Sequence, residues 1–226
     1  MSRPISLHRS QFLLLALSLS IIRTQAVVPP PNLLPGGVLS PPPAEASPVG
    51  GSVVFNTGPV PFTAGTFSGT LTSEAIAGDS SNPWGGLTFT YEIDNFSASS
   101  DEIARMTVSS FGLFLTDASY NSTTPVGGLA PMSITRSANG AVLGFNFLVP
   151  SLSPGSASAL LVIQTDSPSF VHTGASLIDG SSTTVNSLAP VPEPSTLCLT
   201  SLGLLGLLGY RWQRRRRGLR PPLDSR

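Results

Sequence analysis

Hydrophobic and polar residues alternate singly through much of the middle of the chain. The clearest run is Leu87–Asp94, where Leu87, Phe89, Tyr91 and Ile93 point one way and Thr88, Thr90, Glu92 and Asp94 the other. A period of two is the signature of a half-buried strand. Residues 141–149 repeat it, with Leu143, Phe145, Phe147 and Val149 on one face. Residues 159–165 form a compact apolar strand and residues 66–76 a weaker one. Residues 103–108 and 111–115 read as one strand, broken or bulged near Ser109-Ser110. Shorter candidates lie at 170–173, 175–178 and 183–185. No helical period stands out among them.

Turn chemistry separates these runs at Asn82-Pro83, Gly127-Gly128, Asn139-Gly140, Pro154-Gly155 and Asp179-Gly180. Asn139-Gly140, between Ile134 and Phe145, is a hairpin signal. Many short strands spaced by turns predict an all-β fold, an antiparallel β-sandwich over residues 51–188. A barrel or jelly roll fits the same pattern. Residues 27–50 differ in texture: eight prolines fall between positions 28 and 50. That composition predicts an extended, polyproline-like linker packed against nothing.

The two ends carry other signals. Arg3, His8 and Arg9 precede a largely apolar eleven-residue stretch, Phe12–Ile22, and small residues lead to Ala26. This is the layout of a signal peptide over residues 1–26, cut by signal peptidase after Ala26. An uncleaved N-terminal anchor is the alternative, though the apolar stretch is short for a span. At the other end, Pro192 and Pro194 hold Val191 and Glu193 extended, and Ser195 or Thr196 is placed to cap a helix. Leu197–Tyr210 follows, fourteen residues without a charge. As a helix that run is about 21 Å long, against a hydrocarbon core of about 30 Å. Extending the helix over 196–212 brings it nearer a full span, with Tyr210 and Trp212 at interfacial depth. Arg211, Arg214, Arg215, Arg216 and Arg217, with Arg220 beyond, form a positive stop that keeps residues 219–226 cytoplasmic.

The order of these features, over residues 189–218, resembles the PEP-CTERM sorting signal of Gram-negative bacteria. The resemblance rests on Val191-Pro192-Glu193-Pro194-Ser195, the Gly/Leu-rich helix and the arginine run. It implies an exported protein, read by an exosortase in the inner membrane and destined for the cell surface or the extracellular space. It also implies an association with exopolysaccharide or biofilm matrix. The segments 84–89, 111–117 and 160–166 are more loosely similar to ectodomains of other PEP-CTERM proteins.

Charge and composition narrow the chemistry. Between residues 27 and 190 there are ten acids and two arginines, Arg105 and Arg136, a formal charge of −8. That balance disfavours nucleic acid as a partner. The one cysteine, Cys198, lies in the tail, so no intrachain disulfide forms. His172 is the one histidine outside the first 26 residues. No G-x-S-x-G elbow surrounds a serine, and zinc ligands are lacking. The expectation is therefore no catalytic residues, no metal, no cofactor and no enzyme. The alternative is an extracellular carbohydrate-binding module or a weak glycan-active enzyme. It would use the Glu92/Asp94 pair on one strand face and a stacking platform of Trp84 with Tyr91 or Tyr120. Asp79 and Asp101-Glu102 are weak calcium candidates, without the loop pattern of a dedicated site.

Overall fold

The computed structural model describes residues 31–44, 50–123, 127–191 and 205. Among the described residues between 38 and 190 there are twelve strands and no helix. They are β1 (Val38–Leu39), β2 (Ser52–Asn56), β3 (Val60–Thr63), β4 (Ser68–Ala77), β5 (Thr88–Asn95) and β6 (Arg105–Val108), then β7 (Thr116–Asn121), β8 (Ser133–Arg136), β9 (Leu143–Asn146), β10 (Leu160–Thr165), β11 (Phe170–Asp179) and β12 (Ser181–Pro190). One sheet has the order β1-β8-β9-β6-β11-β12. The other runs β2-β4-β5-β10-β7, with β3 following β2 along the same edge of β4. All these pairings are antiparallel. The expected all-β fold with two antiparallel sheets is what forms.

Alternation builds the core. From β4, β5 and β10 come Leu71, Ala75, Phe89, Tyr91, Ile93, Leu161 and Ile163; from β6, β8, β9 and β11 come Met106, Ile134, Leu143, Phe145 and Leu177. All are fully buried in one cluster. Burial of apolar surface between the two faces is the main stabilising term. Phe89 meets Phe111 edge to face at 6.0 Å, the geometry aromatic quadrupoles favour.

The structure departs from the sequence expectations in three places. Residues 32–44 are not a free spacer. Val38 and Leu39 pair with Thr135 and Ile134, Leu33 and Pro42 are buried, and the Asn32 side chain is bonded to the backbone of Ala118. The prolines supply an extended backbone, and Leu33 supplies the apolar group that docks it. Second, residues 103–115 are not one strand. β6 ends at Val108, Ser110 takes a positive φ of 81°, and Phe111 plunges into the core. The chain thereby leaves one sheet and enters the other as β7. Third, the three short candidates after residue 170 are one ten-residue-a-side hairpin, β11–β12, paired from Phe170↔Pro190 to Asp179↔Ser181.

Candidate functional site

The feature with a functional meaning in the sequence is the tail, and the fold delivers it directly. β12 reads Ser181-Ser-Thr-Thr-Val-Asn-Ser-Leu-Ala-Pro190: half-buried Ser181 and Thr183 alternate with exposed Ser182 and Thr184, and Ser187–Pro190 are buried. It is the last strand of its sheet, bonded to β11 on one side only. Ladder bonding continues one residue past it. The Val191 N–H donates to the Ser169 carbonyl at 3.3 Å, and the Ser169 hydroxyl donates to the Val191 carbonyl at 3.4 Å. Bonded and non-bonded pairs alternate in an antiparallel ladder, so Pro190, opposite Phe170, falls at the pair where no N–H is needed. Proline is tolerated on an edge strand for that reason. Across the sandwich, the Tyr91 hydroxyl donates to the Leu188 carbonyl at 2.7 Å. The last residues of the domain are thus fixed from two sides.

Val191 is the one residue of the expected sorting motif within the described residues. Pro192, Glu193, Pro194 and Ser195 lie outside them, as do Arg211, Arg214, Arg215, Arg216 and Arg217 and the cleavage position Ala26. Among the described residues no helix is long and apolar enough to cross a membrane.

The acid pair behaves as a strand face. Glu92 is half-buried and Asp94 exposed on β5. Glu92 sits opposite Thr72 and Asp94 opposite Thr70, with Glu74 one pair further on. Burial, then Asp94, then Glu74 raise the Glu92 pKa above its ordinary value. A raised carboxyl pKa is the direction that suits a general acid. The notch of about 210 Å³ between Thr63–Ser68 and Ala98–Ser100 is lined by neither acid.

The core takes Tyr91 out of the expected aromatic platform. Tyr91 is wholly buried, with its phenol held by Leu188. Burial drives its pKa far above the ordinary phenol value. Tyr120 is half-buried in β7, where its N–H donates to Pro43 at 3.2 Å. Trp84 is half-buried in the loop before β5. His172 is exposed on β11, edge-on to Phe55 at 4.9 Å and 3.4 Å from the Asn186 amide.

The calcium candidates resolve differently. Asp79 is buried and saturated by neutral donors: Ser81 N–H at 2.9 Å, Ser81 Oγ at 2.6 Å, Thr88 Oγ1 at 2.7 Å and Gln164 Nε2 at 3.2 Å. It pins the 78–87 loop over the outer face of β5 and β10. Asp101 is bonded to the Glu102 N–H at 3.0 Å and lies beside Asp179, whose pKa is raised by burial first and then by Asp101. Among the described residues no group of three or more His, Cys, Asp or Glu side chains is arranged to hold a metal ion.

Sequence reasoning missed the role of two polar centres. One is Asp79, read as a calcium candidate and found pinning a loop. The other is Arg136, buried at the end of β8 and donating to the carbonyls of Gly140, Leu33, Phe111 and Phe114 at 2.8–3.0 Å. The signal for it was present: Arg136 is one of two cations in the whole domain and immediately precedes the Asn139-Gly140 turn that it clasps.

Residues 190–217 match the family model of the PEP-CTERM protein-sorting motif. The match begins on the residue at which β12 ends. Such a motif implies an exported chain processed by an exosortase. No curated protein and no solved structure matches the chain.

Proposed function

We propose that this protein is an exported, non-enzymatic surface or matrix component, carried through the inner membrane and handed to an exosortase by its C-terminal tail. The observation that carries the reading is the sorting motif at residues 190–217 following without a spacer on the last strand of a β-sandwich. The N-terminal apolar segment serves as the export signal, cut after Ala26. The helix over 196–212 holds the precursor in the bilayer with its arginines in the cytoplasm. Exopolysaccharide is the matrix partner proposed for the sandwich. Deleting Val191–Arg226 should send the chain into the periplasm or medium, and Glu193→Ala should alter its processing. Unchanged location and processing in both variants would overturn the proposal.

A glycan-active reading has one observation in its favour, the elevated pKa of Glu92 beside Asp94. A glycan array probed with the exported protein tests it. Absence of binding, with Trp84→Ala indistinguishable from the parent, removes it.

A further inference from the structure

The two ends of the β11–β12 hairpin have opposite chemistry. The turn end is acidic, with Asp179 against Asp101 and Glu102 nearby. The end from which the tail leaves is apolar. There Phe170 pairs with Pro190 and Val171 with Ala189. Phe55 reaches across from the edge of the other sheet, its ring 5.5 Å from Phe170 and 4.9 Å from His172. Around it Val53 is 52% exposed, Val54 47% and Val171 38%. All five residues of β2 face solvent, none is charged, and the strand is bulged between Val53 and Phe55. An uncharged apolar edge strand is a liability that proteins cover or break with charge. Here no charge lies on the strand itself, and the Glu74 carboxylate of β4 meets it only at its Asn56 end.

The length of the tail says what covers it. Five residues, Pro192–Thr196, separate Val191 from the apolar run that begins at Leu197. Fully extended they span at most about 18 Å. A tail held in the bilayer therefore draws the apolar end of the sandwich to the membrane surface and turns the Asp101–Asp179 end outward. Uncharged aromatic and aliphatic side chains partition into the lipid interface. The exposed Asp166, four residues before Phe170, favours zwitterionic over anionic headgroups.

We infer that Val53–Phe55 of β2 and Phe170–His172 of β11 dock on a zwitterionic phospholipid surface, seating the domain on the membrane beside its own sorting motif. This rests on the reading that the tail is membrane-held. The experiment uses the full-length chain in phosphatidylethanolamine–phosphatidylcholine vesicles, with Cys198→Ser as background and a fluorophore at one introduced cysteine. Val171→Cys reports the patch and Leu205→Cys the tail. Val149→Cys reports the opposite end, because it is 80% exposed and follows Phe147, which bonds to Ala104 beside Ile178. The expected result is loss of fluorescence to lipid-borne nitroxide at 171 and 205 but not at 149. Val54→Glu, a change at an exposed position, should restore the signal at 171 alone. If 205 is quenched while 171 is as bright as 149, the docking is overturned and the tail reading stands; a patch that binds exosortase instead gives this result, since the vesicles contain none. If 205 itself is not quenched, the membrane-held tail is overturned and the docking with it.

Discussion

The Tyr91 hydroxyl donates to the Leu188 carbonyl at 2.7 Å, crossing the sandwich from β5 to β12. Leu188 lies three residues before Val191, so this bond ties the core of one sheet to the exit of the chain from the other. Tyr91→Phe keeps the ring and leaves the buried Leu188 carbonyl with the longer bond from the Ser187 hydroxyl, at 3.4 Å. The expected cost is about 1–2 kcal/mol, read as a lower denaturant midpoint with an unchanged slope. Tyr120→Phe, at a half-buried position, is the control and should cost less. In an alkaline titration Tyr91 should not ionise before the domain unfolds, because burial raises its pKa.

Arg136 holds four carbonyls at once, those of Gly140, Leu33, Phe111 and Phe114. Burial lowers its pKa and Asp166 counters that shift, but a guanidinium stays charged at neutral pH. The fork joins the segment before β1, the β8–β9 turn and the crossover after β6. Arg136→Met should cost roughly 3 kcal/mol, since the Leu33 and Gly140 carbonyls lose this donor together while Phe111 and Phe114 keep bonds from the Phe114 N–H and the Thr116 hydroxyl. Arg136→Lys should recover part of it at most, because an ammonium lacks the fork. Thermal unfolding of the two variants against the parent checks the order.

The pH dependence has a definite sign. Glu92, Asp117 and Asp179 all have raised pKa values: Glu92 through burial and its acidic neighbours, Asp117 through burial against an opposing bond from Asn32, and Asp179 through burial and Asp101. A carboxyl with a higher pKa folded than unfolded binds its proton more tightly in the folded state. Its contribution is fully present below the unfolded value and is lost as pH rises through the folded one. Glu92→Gln should therefore raise Tm at neutral pH and leave it unchanged below about pH 4, where a free glutamate is itself protonated. A Tm profile of parent and variant across that range is the measurement. A larger gain in acid than at neutrality would contradict the assignment.

Gly69 admits no side chain. A Cβ there would collide with the Asp94 carbonyl and meet the Phe62 ring at 2.7 Å. The obstacle is backbone in the paired strand, which cannot rotate away. Gly69→Ala should separate β4 from β5 at that end and cost on the order of 2 kcal/mol or more. Gly58→Ala is a useful contrast, because at Gly58 nothing lies within 4 Å and the cost there is that of its positive φ alone.

Strands that bury one face were legible in the sequence. Leu87–Asp94 and residues 159–165 are found within a residue of where the alternation puts them, because burial of one face imposes the period. β2 and β7 were not legible. Ser52–Asn56 is exposed along its length, and Thr116–Asn121 interleaves small and polar residues, so neither writes a clean period of two. The Leu33–Leu39 segment was hidden by its prolines, whose extended backbone suits a docked edge as well as a linker. The sorting tail was legible because its signal is local and ordered along the chain. Asp79 and Arg136 join residues up to 103 positions apart, and no local pattern announces such partners.

β12 passes into the motif without slack, and this gives the domain a mechanical character. A pull on the tail acts along the strand axis, so it slides β12 lengthwise past β11 and loads the paired backbone bonds of the hairpin together, where a perpendicular pull would open them one at a time. A sandwich tethered this way resists drag at the cell surface through its longest ladder.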